Sequence, residues 1–396
     1  MNSVGVDGEK AISSPVWIMG RRRNRFNPLP HSSSWVPLFH TELVDTLTTI
    51  AYRKRCLVPV DSKSTATSGD IGVSIPIGNL PIAPGIRISN ATKDASIKGR
   101  TILSTMNNTQ AGCVLVVGAT GKVGSVLVHL LEQQAVAVRA SSRTPSAQKY
   151  EVPTTQWVHL DLERTESFDD ALQGVSTVFM MARPGDEHPE STAIPLMSAM
   201  KRSGVKRVVN LTAMGCEMRP DFGLRRVELA LQRSGMAWTH LRPNFFMQIF
   251  CTGPHFAQIS RLRQIRLPAG DTAISFIDAQ DVAAVAAKCI VESDHDGQAY
   301  TLTGGEALTH GDITAAITKV ANSPVAYMAL TEDEARVEFA KAGLPAENVE
   351  RLIGFYRIVS TGLAGVVSPD VRRLLGRAPR TFAEFVGEHP TTWNVP

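Results

Sequence analysis

Three glycines at three-residue spacing, Gly118, Gly121 and Gly124, follow directly on the apolar run at 114–117. Residues without side chains let a backbone turn tightly and approach a bulky anion. Val123, Leu127, Leu130 and Leu131 then line one side of a helical pattern. A strand, a glycine turn and a helix in that order bring unpaired N–H groups and the positive end of a helix dipole to one point, where a pyrophosphate fits. The chemistry this predicts is dinucleotide binding by Gly118, Thr120, Gly121, Lys122, Val123 and Gly124. The spacing is G-x-x-G-x-x-G, and Lys122 precedes Val123 rather than Ser or Thr, which excludes a P-loop.

The second strand of such a unit ends beside the adenosine ribose. A carboxylate there holds a 2′-hydroxyl and repels a 2′-phosphate. This chain has Arg139-Ala-Ser-Ser-Arg143 instead. Arg143, with Ser141 or Ser142, suits a 2′-phosphate, so the expected cofactor is NADPH/NADP+; the plainer reading of Arg143 is a surface arginine at a strand end. Ligands of open α/β sheets lie at strand carboxyl ends. That rule adds Asp161 and Leu162 beside adenine, Ala182 (with Arg183) after strand four, Thr212 (with Ala213) after strand five, and Pro243, Asn244 and Phe245 after strand six.

Residues that would move a proton are harder to find. A Tyr-x-x-x-Lys pair lets lysine depress a tyrosine that protonates a carbonyl oxygen. None of the five tyrosines has lysine four positions on, and no lysine occurs between Lys206 and Lys288. Arg225 and Arg226 stand there, but arginine does not give up its proton; they read as a solvated helix face. The catalytic residues are therefore left unassigned. Phe245, Phe246, Met247 and Phe250 offer an apolar wall, with Phe246, Met247 and Phe250 assigned to substrate; core packing is the alternative for each. Thr212 reads either as a donor to substrate or as a strand-end cap. His240 reads as a core histidine, and Asp281, near Asp278, as the cap of the following helix.

These residues need a scaffold. From 111 onward short β-branched runs alternate with helical patterns, the mark of βαβ units and a doubly wound parallel sheet. Strands are expected at 113–117, 136–141, 155–160, 176–181, 207–212 and 237–242, and helices at about 122–134, 165–173, 190–203 and 223–234. Beyond 245 the pattern is less regular: a strand, an Asp turn and a helix over 274–290, a strand at 297–304, and helices at 331–342, 346–362 and 369–388. Residues 106–250 read as the Rossmann-type dinucleotide domain and 251–396 as a smaller α+β substrate region interleaved with it. Residues 1–105 read as a poorly ordered extension, or as no part of the native chain if synthesis starts at Met106. The extension contains a short helical pattern at 39–55 and the basic run RRRNR at 21–25.

Composition narrows the classes further. The 396 residues carry a net charge of +4, and residues 1–110 hold 13 Lys/Arg against 7 Asp/Glu while the remainder is near neutral. The net charge is too small to argue for nucleic acid by itself, and a nucleic-acid reading through the basic N-terminus rests on charge alone, so no nucleic-acid partner is expected. No apolar run approaches a membrane span. Five scattered cysteines without C-x-x-C pairs point to a reducing, cytoplasmic compartment, and no His or Cys spacing suggests a metal.

With these residues in place, the chain resembles the NmrA-like group of atypical short-chain dehydrogenases/reductases over about 112–390. The resemblance rests on VVGATGKVG, SGVKRVVNLTAMG, SGMAWTHLRPNFFMQ, FIDAQDVAAVAA, YTLTGGEALT and GRAPRTFAEFV. It implies an NAD(P)-binding oxidoreductase acting on quinones, enones, imines or other small carbonyl-like substrates. Some members bind the dinucleotide as redox sensors. The primary expectation is an NADPH-dependent reductase delivering hydride to a small apolar conjugated acceptor, with a biosynthetic pathway as one setting. The alternative is a non-catalytic sensor that controls a protein partner.

Overall fold

The computed structural model describes residues 112–145, 154–183 and 185–394. The extension, with its helical pattern and basic run, lies outside the described residues.

Seven strands form one parallel sheet in the order β3-β2-β1-β4-β5-β6-β8. They are β1 Cys113–Val116, β2 Val138–Ser142, β3 Thr155–His159, β4 Val175–Met181, β5 Arg207–Leu211, β6 Ala237–Pro243 and β8 Gln298–Leu302. The central strands β1 and β4 carry the apolar runs CVLV and VFMM because helices cover both faces. On one face Leu127 and Leu131 of α1 (Gly124–Gln133) and Val282, Ala286 and Ile290 of α6 (Ala279–Val291) pack on Val114, Val116, Phe179 and Val209. On the other, α2 (Phe168–Leu172), α3 (Glu190–Arg202) and α4 (Gly223–Gln232) bring Phe168, Leu172, Leu196, Met200, Val227 and Leu231 onto Leu115, Val117 and Val178. The strand order reverses between β1 and β4, so their carboxyl ends flank the crevice where open α/β sheets bind ligands.

A third core lies outside the sheet. It gathers Phe250, Phe276, Ile313, Ile317, Phe382, Phe385 and Trp393. Around it are α5 (Gly253–Leu262), the parallel pair β7 (Gln264–Leu267) and β9 (Ala326–Ala329), α7 (His310–Val320), α8 (Glu332–Lys341), α9 (Ala346–Val359) and α11 (Phe382–Glu388). The short α10 (Asp370–Leu375) returns to the sheet, where Val371 and Leu374 join the first core. Among the described residues no single helix is long and apolar enough to cross a membrane.

Several expectations need correction beyond residue 245. The strand expected within 274–290 is reduced to two isolated bridges, Phe246–Ile277 and Ile274–Leu308. The helix expected over 369–388 is two helices, because Gly376 adopts φ +66° and Pro379 follows. α5, β7, α7 and β9 were not anticipated.

The third core buries two imidazoles, His255 and His310, whose ring centroids lie 6.4 Å apart. Burial, with His310 close by, pushes His255 down to about 3, and burial pushes His310 down to about 4. Unfolded, each titrates near about 6.5. As pH falls below that value the unfolded chain takes up protons the folded chain refuses, so stability is lost from about pH 6.5 downward, until the folded imidazoles themselves protonate. At pH 5 each histidine is expected to remove about 2 kcal/mol. Urea midpoints at pH 7.5, 6 and 5 measure this, and His310→Phe should flatten the slope.

Candidate active site

The glycine turn joins β1 to α1 at the carboxyl edge of the sheet. Gly118 sits at φ +74°, a region L side chains rarely adopt, and its N–H donates to Ser141 Oγ at 3.2 Å. A Cβ on Gly124 would lie 2.2 Å from Gly118 O, so only glycine lets the helix start this close to the strand end. Val123 caps α1 with no side-chain hydrogen bond, and the first turn carries no acid. Thr120, Gly121 and Lys122 are exposed beside it. A helix start without side-chain cap or carboxylate, reached across an exposed glycine backbone, suits a pyrophosphate. The residues present therefore fit a dinucleotide.

The other expected cofactor residues lie at neighbouring strand ends. Arg143 is exposed just past β2, and Ser142 Oγ accepts the Thr144 N–H at 3.1 Å. Asp161 and Leu162 are half-buried past β3, and the Asp161 carboxylate accepts the Glu163 N–H at 3.1 Å. Ala182 is half-buried past β4. Pro243 ends β6, its carbonyl accepting the Met214 N–H at 2.9 Å. Phe245 is buried against Phe276 and Phe355, with centroids 6.1 and 5.4 Å away.

Three readings change with the side-chain contacts, and of the two open for Thr212 the strand-end cap holds. Met247 and Phe250 do not line an open wall. Phe250 is fully buried, edge-on to Phe276 and Phe382, and Met247 joins the same core; Phe246 alone of the substrate trio is half-exposed. Arg225 and Arg226 are not a solvated face: Arg225 pairs with Glu228 at 2.7 Å and Arg226 with Glu190 at 2.6 Å. Asp278, not Asp281, caps α6, accepting the Gln280 N–H at 2.9 Å. Asp281 instead accepts the Arg380 N–H and pairs with Arg377, each at 2.7 Å. Thr212 caps a strand end, its hydroxyl donating to Glu228 Oε1 at 2.9 Å.

Glu228 is the residue the sequence reading missed. It is 0 % exposed, yet four side chains converge on it. Arg242 binds both of its oxygens, at 2.9 and 2.8 Å, and Arg225, Thr212 and Cys216 complete the set. Burial raises the carboxyl, but the Arg242 and Arg225 guanidiniums more than reverse this and hold it at about 2. The same burial, with Glu228 beside it, pushes the Cys216 thiol up to about 12. A signal was available: Glu228 falls on the apolar stripe Leu224, Val227, Leu231, where a carboxylate needs a cation partner. His240 is buried as expected, stacked on Trp238 at 4.5 Å and pushed down to about 4 by burial.

With fold and site defined, the molecule is a dinucleotide-binding α/β protein. Residues 118–293 match the NAD(P)H-binding family. The chain is 32 % identical over 288 residues to the NAD(P)H azoreductase of Xenophilus azovorans, covering 71 % of this chain and 99 % of that one. It is 28 % identical to agroclavine dehydrogenase of Claviceps fusiformis, covering 71 % and 98 %. The NADPH-dependent quinone oxidoreductase of Escherichia coli, solved with NADPH, superposes with a TM-score of 0.62 at 25 % identity, covering 69 % of this chain and 99 % of that one. The chain belongs to the NmrA-like atypical short-chain dehydrogenases/reductases and is an NAD(P)H-dependent oxidoreductase.

Removing the charge of Glu228 should strand two arginines that are mostly buried. Glu228→Gln is expected to cost about 3–5 kcal/mol, read as a lowered urea midpoint at unchanged slope.

Proposed function

We propose that the protein reduces small apolar conjugated acceptors, quinones, enones or imines, and draws on NADPH in preference to NADH. The observation that carries the first part is the commitment of Thr212. Its hydroxyl proton goes to a carboxylate that stays ionised, so it has none to give a substrate oxygen. The described tyrosines are engaged elsewhere. Tyr300 Oη meets His295 at 2.8 Å, Tyr327 donates to Leu267 O at 3.2 Å, and Tyr356 is buried in the third core, which pushes its hydroxyl well above the usual range.

A saturated ketone needs a placed acid as hydride arrives. A conjugated acceptor spreads the charge itself and can take its proton from solvent. NADPH supplies the hydride when bound. The chain's part is then to bind and orient: the glycine turn holds the pyrophosphate, and half-exposed Phe246 gives an apolar surface past the end of β6. The azo and quinone chemistry in the relatives' names is of the same conjugated kind, which supports the reading. The clavine relative supports a biosynthetic setting.

The preference for NADPH rests on Arg143, which stands exposed where a 2′-phosphate is expected, with no acid beside it in the sequence. Arg143→Ser should weaken NADPH about 10- to 100-fold, the worth of a charge-assisted contact, and leave NADH within about twofold. Calorimetric titration of both dinucleotides reads this; equal losses for the two would remove Arg143 from the 2′-phosphate. For the acceptor, NADPH oxidation should be followed with a naphthoquinone, an α,β-unsaturated ketone, a cyclic iminium and a saturated ketone. The conjugated compounds are expected to exceed the saturated ketone in kcat/KM by about 100-fold or more, the usual range of acid catalysis. Comparable turnover of the saturated ketone would overturn the proposal.

A further inference from the structure

The loop from α6 to β8 brings three ligand-type atoms together at the amino ends of the strands, away from the glycine turn. Glu292 Oε2 lies 3.5 Å and Asp294 Oδ1 3.4 Å from His295 Nε2, and the three atoms fall within 4.8 Å of one another. His295 is only 4 % exposed, yet its Nε2 has no hydrogen-bond partner. The ring is fixed from behind: Nδ1 meets Tyr300 Oη at 2.8 Å, and the His295 carbonyl accepts from Thr239 Oγ1 at 2.8 Å. With a proton on Nδ1 donated to Tyr300, the Nε2 lone pair points at two carboxylates. Three electron-rich atoms facing one another, one of them buried, call for a cation between them.

We propose that Glu292, Asp294 and His295 bind a divalent cation of the zinc class. Zinc takes imidazole nitrogen and carboxylate oxygen at about 2.0–2.2 Å in a tetrahedron, whose edges are then about 3.3–3.6 Å. The two N···O distances match those edges and are too long for hydrogen bonds. The Tyr300 contact is the outer hydrogen bond that orients a metal-binding imidazole. Competing charges are already placed. Lys288 takes Glu292 Oε1 at 2.7 Å and leaves Oε2, while Arg207 pairs with Asp296 at 2.8 Å and donates to the Glu292 carbonyl at 3.0 Å. The cation also sits just past the carboxyl end of α6, the negative end of its dipole. Asp294 is largely exposed, so water can complete the shell. The spacing Glu292-x-Asp294-His295 matches none of the ligand patterns sought in the sequence, because the loop rather than a helix face brings the atoms together.

The thirteen residues of α6 span about 20 Å, which separates this site from the cofactor edge. The bound ion would clip the end of α6 to the start of β8, a role for stability rather than for hydride transfer.

The test is zinc titration of the full chain, free of any affinity tag and stripped by chelator, by competition with a chromogenic chelator. One equivalent should bind with micromolar affinity and raise the melting temperature by about 3 °C or more when in excess. His295→Asn should abolish binding but also disturbs Tyr300, so the exposed carboxylates decide the matter. Asp294→Asn and Glu292→Gln should each weaken zinc at least about tenfold, the usual loss for one ligand or its support. No uptake at 100-fold excess over a micromolar Kd, or uptake that neither carboxylate change weakens, would overturn the site.

Discussion

The closeness of α1 to the end of β1 is the constraint on which the rest depends. A Cβ on Gly124 would be 2.2 Å from Gly118 O, against backbone that cannot swing away. The hydrogen bond from Gly118 N–H to Ser141 Oγ ties the same turn to β2. Three consequences follow from this one contact. Leu127 and Leu131 reach the sheet, the positive end of the helix opens at the crevice between β1 and β4, and the side chains at the end of β2 are set at a fixed place beside it. Packing and the proposed binding thus share one geometry, and a substitution at Gly124 would disturb both.

Glu228 performs a comparable service two strands away. A buried carboxylate is costly alone, but two guanidiniums and two weaker donors satisfy it. It joins the end of β5, through Thr212, to the end of β6, through Arg242. The cost is chemical. A threonine hydroxyl at the sheet edge, otherwise suited to a substrate oxygen, is turned toward its own scaffold. Rigidity at this edge and the commitment of the Thr212 proton have one cause, and both support the proposed acceptor, which needs position more than acid.

The sheet was legible because its signal is local. Runs such as CVLV and VFMM are apolar throughout since helices cover both faces, and all six strands expected before residue 245 form within two or three residues of their expected ends. The glycine turn was legible for the same reason: its geometry is set by seven consecutive residues. The side chains that changed meaning are those settled by distant partners. Asp281 answers to Arg377 and to the Arg380 N–H, Asp278 to Gln248 and Arg380, and Arg226 to Glu190. Phe250 looks the same in sequence whether it lines a pocket or meets Phe382, 132 positions away. The helix expected over 369–388 failed locally, at Gly376 and Pro379, where the break frees Arg380 to reach α6.

α6 is where these strands of argument meet. Its start carries Asp278 and Asp281, which hold the segment before α11 and so attach the third core to the cofactor edge. Its middle packs Val282, Ala283 and Ala286 on the sheet, small residues that let helix and sheet approach closely. Its end runs into Glu292, Asp294 and His295 at the opposite edge. The helix is fixed by charge at its start, by packing along its length, and at its end by Arg207 and Lys288, which hold Glu292. A cation at the proposed site would add one more tie there, between Glu292, Asp294 and His295. The cofactor edge would then be braced from the far side of the sheet, through a rigid helix, without any residue of the far site touching substrate.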